Sequence, residues 1–144
     1  MFSKSCEYAI KASIFIAQHR DGVTCVGVKE IAKGIQAPEY FVAKIIQELS
    51  RKKAINSIKG PNGGFCMSEA QMKKPILDIV VLMDGDGLVN NCILGLEHCS
   101  SDNPCPMHHE YQKIKQSMRN MLENNTVADF KSLVNLKKAV LNTN

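Results

Sequence analysis

The chain has 144 residues, enough for one domain with an appended element, and 44% of them are hydrophobic, which suffices for a core. No run reaches the roughly 18 to 20 apolar residues of a membrane span, and the first residues lack the apolar region of a signal peptide. We therefore expect a cytoplasmic protein with no membrane partner. Residues 1–67 hold ten Lys and Arg against five Asp and Glu, whereas residues 68–144 hold eight against nine, so the first half is the candidate for binding a polyanion.

Two helices are predicted in the first quarter of the chain. Ser3 is expected to cap a helix that runs to about Arg20, where residues 21–22 end it. A second, short helix is expected over residues 28–34, and Gly34 is the residue type that commonly ends a helix.

A third helix is predicted to begin at Pro38, because proline is favoured at the first helical position. Its apolar face comprises Phe41, Val42, Ile45, Ile46 and Leu49. Its opposite face carries the candidate contacts to DNA bases, which are Glu39, Tyr40, Lys44, Gln47 and Arg51. The short connection to the preceding helix makes this pair a helix-turn-helix candidate.

A hairpin is predicted directly after these helices. Residues 54–59 alternate apolar and polar side chains, residues 60–64 are rich in glycine, and residues 65–67 can form a returning strand. Such a hairpin is typical of a wing, although it is also consistent with an ordinary tight turn. The residues expected to reach the DNA backbone or minor groove are Lys59, Pro61, Asn62, Gly63 and Gly64.

The second half of the chain is predicted to be helical apart from one loop. Ser68 opens a capping box, and an apolar helix over residues 75–84, ended by Gly85, is expected to pack on the first helix. A long helix is expected over residues 106–123, and a second capping box at Thr126 is expected to open a terminal helix with a fraying tail. The long helix has heptad spacing that favours pairing with a second copy, with packing on its own domain as the alternative; its apolar positions are Met107, Tyr111, Ile114, Met118 and Met121.

Sulfur and nitrogen ligands are concentrated in residues 92–109, which hold three of the six cysteines and three of the four histidines. Six residues separate Cys92 from Cys99, five separate Cys99 from Cys105, and two separate Cys105 from His108. Structural zinc sites usually contain closer cysteine pairs, whereas wide spacing suits an iron–sulfur cluster. The segment therefore predicts a metal or cluster site, with small buried thiols as the alternative.

The remaining cysteines, Cys6, Cys25 and Cys66, stand beside apolar residues in predicted helix or strand. Thiols of a cytoplasmic chain are kept reduced. We therefore expect no disulfide framework and interpret these three as small buried hydrophobic residues.

Nearly the whole chain resembles the IscR/NsrR-type winged-helix regulators of the bacterial Rrf2 family. Three helical segments carry the resemblance: Cys-Glu-Tyr-Ala-Ile-Lys at 6–11, Val-Lys-Glu-Ile-Ala at 28–32, and Ala-Pro-Glu-Tyr-Phe-Val-Ala-Lys-Ile-Ile-Gln-Glu-Leu at 37–49. The wing sequence Lys-Gly-Pro-Asn-Gly-Gly-Phe at 59–65 and the three-cysteine loop before a long helix complete it.

The resemblance implies a homodimer with crossing long helices and two winged heads that bind a palindromic site in double-stranded DNA. It also implies a 2Fe–2S or 4Fe–4S cluster held by Cys92, Cys99 and Cys105. The fourth ligand varies within the family: a histidine of the same chain falls on His108, and an acidic residue from the partner's first helix falls on Glu7. The gap between the first two cysteines is longer than the five or fewer residues of several members.

We therefore expect a mainly α fold with a small β wing. A winged helix-turn-helix DNA-binding domain occupies residues 1–85, a cluster-binding loop residues 86–105, and a dimerisation helix and tail residues 106–144. The leading hypothesis is a transcription regulator that senses nitric oxide, oxygen or redox state, or iron–sulfur supply. The alternatives are a clusterless, zinc-binding or thiol-switch regulator that responds to a small molecule or protein partner, and an electron carrier without DNA function. No nucleophile–base pair or phosphate loop is visible, so no enzyme is expected.

Overall fold

The structure is a computed structural model that describes residues 1–19 and 25–143. Within these residues the chain forms α1 (Lys4–Gln18), α2 (Val28–Ile35), α3 (Glu39–Arg51), β1 (Asn56–Ile58), β2 (Gly64–Cys66), α4 (Glu69–Met72), α5 (Ile76–Asp84), α6 (Gly87–Asn90), α7 (His108–Asn124) and α8 (Val127–Asn135). This arrangement confirms the predicted helical fold with a small β wing. None of these helices combines the length and apolarity that a membrane crossing requires.

Helix α1 is the centre of the fold, because α2, α3, α5 and α8 all pack against it. The Ser3 side chain caps it as predicted, accepting a hydrogen bond from the Cys6 amide at 3.1 Å. Asp84, at the end of α5, in turn accepts hydrogen bonds from the amide and hydroxyl of Ser3. Cys6 is fully buried, as predicted. The predicted end of the helix at Arg20 and residues 21–22 lies outside the described residues.

The helix-turn-helix pair differs from the prediction at Gly34. Helix α2 continues through Gly34 to Ile35, and Gln36 takes the left-handed conformation that follows it, with φ of 53°. The reason for glycine at 34 is packing, because a Cβ atom there would overlap the Phe15 ring. The prediction that Gly34 ends the helix is therefore wrong.

The apolar face of α3 is narrower than predicted. Val42, Ile45, Ile46 and Leu49 are buried, but Phe41 is 47% exposed, and its ring lies edge-on to that of Tyr40. Position 41 lies at the edge of the stripe that faces α1 and α2, so the prediction that Phe41 belongs to this apolar face is wrong. Tyr40 and Phe41 therefore form an exposed aromatic pair at the start of α3.

The wing is an antiparallel hairpin of β1 and β2, and a third segment extends it. Val26 pairs with Phe65 through two backbone hydrogen bonds, of 2.9 and 2.8 Å. Gly64 makes this approach possible, because a Cβ atom there would lie 2.7 Å from the Val26 carbonyl oxygen. The hairpin is thereby attached to the residues that lead into α2.

Cys25 and Cys66 form a disulfide across this extended sheet. Both are half-buried rather than buried. The expectation that these cysteines are separate reduced hydrophobic residues is therefore wrong. The pairing arises from the register of Val26 with Phe65, which places the residues on either side opposite each other and which local sequence does not reveal.

Both predicted capping boxes are present, at Ser68 and at Thr126, and Gly85 follows α5 with φ of 76°. Helix α8 packs on α1. The tail that follows α8 contacts the domain, because the side-chain amide of Asn142 donates a hydrogen bond to the Gly34 carbonyl at 2.8 Å. The C-terminal segment thus returns to the helix-turn-helix pair.

Candidate metal centre and nucleic-acid interface

Three cysteine sulfurs converge at the N-terminal end of α7. Cys92 follows α6, Cys99 lies in the loop, and Cys105 precedes α7 by three residues. Their sulfur atoms lie within 4.8 Å of one another, and those of Cys92 and Cys105 are 3.6 Å apart. The Cys105 amide donates to the Cys99 sulfur at 3.4 Å. The fold therefore brings together three of the predicted ligands, although they are separated by up to thirteen positions in sequence.

His108, the first residue of α7, is the fourth group at this place. Its Nδ1 atom lies 3.1 Å from the Cys99 sulfur, and its side chain is buried. Its Nε2 atom is buried without a hydrogen-bond partner among the described residues. A buried polar atom without a partner is costly, so an imidazole in this setting is typical of a ligand that is completed by something bound.

The protonation of the cysteines differs because their surroundings differ. The backbone amide of Leu96, assisted by that of Leu94 and by the neighbouring thiols, lowers the pKa of Cys92 to about 7 against the opposing effect of burial. Burial instead raises the pKa of Cys105. Cys92 therefore becomes the thiolate that a metal requires more readily than Cys105 does.

The three thiols and the imidazole are donors that suit a metal centre. The spacing of the sulfurs and the size of the adjoining cavity bear on whether that centre is a single ion or a larger group. Thiolates around one tetrahedral zinc ion at about 2.3 Å lie about 3.8 Å apart, close to the spacing found here. A cavity of about 330 Å³ borders the three cysteines and His108, however, and it exceeds the space that one ion needs. The connecting loop from 93 to 104 is exposed and contains neither helix nor strand, so it can widen around a larger group.

Glu7, the other predicted fourth ligand, lies on α1. Its carboxylate pairs with the Lys4 ammonium at 3.1 Å. Among the described residues of this one chain, nothing joins Glu7 to the cysteine loop. Its predicted role requires a second copy of the chain, whereas His108 is already in contact with the sulfur cluster.

Two cations of α7 hold the segment that leads into Cys92, a feature that the sequence did not suggest. The Arg119 guanidinium donates to the Val89 carbonyl at 3.0 Å and also to the Asn90 side chain. The Lys115 ammonium donates to the carbonyls of Asn90 and Asn91 at 3.2 and 3.3 Å. These carbonyls end the short helix α6, where positive charge is favoured. In the sequence, the one indication of this contact was that Lys115 and Arg119 are four residues apart and therefore lie on one face of α7.

The candidate nucleic-acid interface includes the exposed face of α3, which carries a stripe of polar side chains. Tyr40, Lys44, Gln47 and Arg51 are all exposed, as is Glu39 at the start of the helix. The Lys44 ammonium lies 4.5 Å from the centre of the Tyr40 ring, and Arg51 pairs with Glu48. The stripe offers an aromatic ring, an amide and two cations to a groove or a phosphate backbone.

The wing tip is also open. Lys59, Pro61 and Asn62 are exposed, and Gly63 and Gly64 are half-buried at the return into β2. The Gly63 amide donates to the Gly60 carbonyl at 2.9 Å and closes the turn. A tight turn with glycines on both sides of Pro61 and Asn62 can approach a nucleic-acid backbone closely.

The chain matches the Rrf2 family model, described as "Iron-dependent Transcriptional regulator", over residues 2–132. An HTH-type transcriptional regulator of Aquifex aeolicus (strain VF5) is 34% identical over 140 residues, covering 96% of this chain and 94% of that protein.

Two solved structures share the fold at lower identity. CymR (YrzC), the global cysteine regulator of B. subtilis, superposes with a TM-score of 0.76 at 20% identity, covering 92% of this chain and 96% of CymR. IscR of T. potens superposes with a TM-score of 0.73 at 21% identity, covering 97% of this chain and 92% of IscR. At these identities the likeness concerns the fold.

Proposed function

Since the chain belongs to the Rrf2 family of transcriptional regulators, we propose that it is a DNA-binding regulator whose DNA affinity is set by an iron–sulfur cluster on the cysteine loop. It is a transcriptional regulator and not an enzyme. The observation that carries the proposal is the convergence of three sulfurs at one place, where the Cys99 sulfur also contacts His108, whose buried Nε2 has no partner among the described residues.

Cys92, Cys99 and Cys105 are the proposed cysteine ligands, and His108 is the proposed fourth. Glu7 of the partner subunit is the alternative fourth ligand. An iron–sulfur cluster supplies reversible electron transfer and reacts with nitric oxide and oxygen. The proposed signals are therefore nitric oxide, oxygen or redox state, and the supply of iron–sulfur clusters. The family description as iron-dependent supports iron over other metals.

The chain's own residues supply the coupling. Cys92 follows directly on the carbonyls that Lys115 and Arg119 bind, so a movement of Cys92 bears on α7. Cys105 and His108 lie at the start of the same helix. Ligands at both ends of the loop therefore act on one helix, so a group bound between them can bias the position of that helix.

We further propose that α7 pairs with its copy in a homodimer. Only His108 and Leu122 are buried on this helix, and Met107, Ile114 and Met121 are exposed, Ile114 by 57%. Tyr111 and Met118 of the seam are half-buried, and Met118 packs on the core of its own chain. A heptad-spaced apolar seam that its own chain covers only in part favours association with a second helix. Two heads related by a two-fold axis suit a palindromic operator in double-stranded DNA.

Contact with DNA is assigned to the polar stripe of α3 and to the wing tip. The proposed base and backbone contacts on α3 are Glu39, Tyr40, Lys44, Gln47 and Arg51. The proposed wing contacts are Lys59, Pro61, Asn62, Gly63 and Gly64. All of these residues except Gly63 and Gly64 are exposed, and all lie in the basic first half of the chain, which supports this assignment.

The test of the metal centre is anaerobic purification and reconstitution, followed by visible absorption and analysis of iron, acid-labile sulfide and zinc. We expect iron and sulfide with absorption that is lost in Cys92→Ala. Absence of iron with stoichiometric zinc would instead support a zinc-binding regulator, which the 3.6 Å sulfur separation favours as the second candidate.

A further inference from the structure

A second thiol pair lies outside the metal centre, at the joint between the wing and the helix-turn-helix pair. The Cα atoms of Cys25 and Cys66 lie 4.8 Å apart, and their sulfurs form a disulfide. Because Val26 and Phe65 exchange both backbone hydrogen bonds, Cys25 and Cys66 are the adjacent non-hydrogen-bonded pair, whose Cα atoms are ordinarily about 4.5 Å apart. The backbone register alone therefore places the two sulfurs within bonding reach.

The local sequence preserves this close approach. A Cβ atom at Gly64 would lie 2.7 Å from the Val26 carbonyl oxygen, so only glycine lets the wing strand lie against the Cys25 segment. The segment leads directly into α2, whose first residue is Val28. Cys66, in turn, ends β2 of the wing. A bond between these cysteines thus joins the wing to the helix-turn-helix pair.

Both cysteines are half-buried and thus partly exposed at the surface, in contrast to fully buried Cys6. The metal-centre cysteines form a separate cluster, with sulfurs within 4.8 Å of one another that do not include this pair. The wing pair is therefore a chemically independent site.

We propose that Cys25 and Cys66 form a reversible dithiol–disulfide site that takes low-molecular-weight disulfides as oxidants and fixes the wing for DNA binding. One thiolate attacks the small disulfide, forms a mixed disulfide and releases one small thiol. The second cysteine attacks the protein sulfur of that mixed disulfide, which forms the Cys25–Cys66 bond and releases the second small thiol. Two electrons and two protons pass to the oxidant, and a dithiol reductant reverses the reaction.

The closed disulfide restrains the wing in the position that its pairing with Val26 defines. A wing that is already ordered loses less conformational freedom on binding, so the oxidised protein binds DNA more tightly. The expected gain in affinity is about 3-fold to 10-fold. The proposal adds a second redox input to the proposed function; it uses DNA binding but does not depend on a cluster.

The full chain is equilibrated anaerobically with oxidised or reduced glutathione, and alkylation with peptide mass spectrometry follows Cys25 and Cys66. Affinity is then measured for a duplex enriched from a random pool by the wild-type protein. Amide hydrogen exchange at Val26 and Phe65 gives a readout that needs no DNA. We expect the disulfide to form, exchange to slow at both amides and affinity to rise by the stated factor.

The double variant Cys25→Ser/Cys66→Ser is the matched control, and it should show the reduced protein's affinity in either buffer. A change in the double variant on oxidation would locate the effect at other cysteines and overturn the proposal. Failure of the pair to oxidise, or a disulfide that alters neither amide exchange nor affinity, would also overturn it. Absence of a cluster would overturn the proposed metal centre and leave these outcomes unaffected.

Discussion

The Arg119 guanidinium donates a hydrogen bond of 3.0 Å to the Val89 carbonyl, three residues before the first cysteine of the metal centre. This bond ties α7 to the entrance of the cysteine loop. With Lys115 on the neighbouring carbonyls, it connects the start of the loop to the helix proposed to dimerise, whereas the end of the loop runs directly into that helix.

Replacement of Arg119 by Met should uncouple the loop from α7. It removes a charge-assisted hydrogen bond from a partly exposed site, so we expect a loss of about 1 kcal/mol in the free energy of unfolding. The cluster should still assemble, but the difference in duplex affinity between loaded and metal-free protein should shrink. Chemical denaturation and fluorescence anisotropy measure the two effects.

Glu123→Gln is the control for this variant, because it breaks the 3.3 Å ion pair with Arg119 and leaves the bond to Val89. Uncoupling in Glu123→Gln to the same extent as in Arg119→Met would argue against the role of the Val89 contact.

His108 and His109 provide a matched pair for the fourth ligand. His108 is buried against Cys99, whereas the neighbouring His109 is exposed. His108→Ala should release iron to a chelator roughly 10-fold or more faster than wild type, and His109→Ala should not. Glu7→Gln serves as the second comparison. Rapid release in Glu7→Gln with normal retention in His108→Ala would assign the fourth position to the partner subunit's carboxylate.

Thiol alkylation should distinguish two cysteines by their pKa values. In metal-free protein under reducing, anaerobic conditions, Cys92 has a pKa lowered to about 7 by the Leu96 amide, whereas burial raises the pKa of Cys6 to about 12. Because the thiolate is the nucleophile, alkylation of Cys92 by iodoacetamide should accelerate as pH rises through about 7 and slow below it. Cys6 should stay unmodified in folded protein; equal rates at the two positions would contradict this expectation.

Lys44 should contribute a phosphate contact. Lys44→Met is expected to weaken duplex binding similarly across sequences and to reduce the slope of log affinity against log salt by about 1. Lys138→Met, an exposed lysine beyond α8, is the charge-matched control and should leave the slope unchanged. A salt titration followed by anisotropy separates the two variants, and an equal change in both would remove α3 from the interface.

Gly64→Ala should destabilise the wing. The residue has φ of 141°, and the added Cβ would meet the Val26 backbone, so a loss of about 1 to 3 kcal/mol is expected. Gly60→Ala is the comparison, since its φ is also positive, at 110°, but nothing lies within 4 Å of the added atom. Gly64→Ala should therefore be the more destabilising of the two in thermal unfolding; the reverse order would contradict the packing of the wing on Val26.

Local signals predicted most of the fold correctly. The capping boxes at Ser68 and Thr126 and the stop at Gly85 depend on residues three or four positions apart, and each is present. The predictions for Gly34 and Phe41 failed because they depend on what a distant helix places opposite them. Gly34 faces the Phe15 ring, and Phe41 lies at the margin of the buried stripe.

The candidate metal centre was predictable because its ligands are dense in one segment. Contacts between segments were not predictable in the same way. The Cys25–Cys66 pair depends on the register of a wing strand against a segment some forty residues earlier, and composition pointed instead to separate reduced thiols. The hydrogen bond from Arg119 to the Val89 carbonyl uses a backbone acceptor, which every residue possesses. The residue type at position 89 therefore could not indicate this contact.

The central claim is that the state of the cysteine loop sets DNA affinity. The most direct measurement compares the affinity of iron-loaded and metal-free protein, with the wing cysteines held in one redox state, for a duplex enriched from a random pool. We predict an affinity ratio of about 5 to 150, the usual range of coupling between two sites, and its loss in Cys92→Ala. Equal affinity of the two wild-type forms would contradict the account.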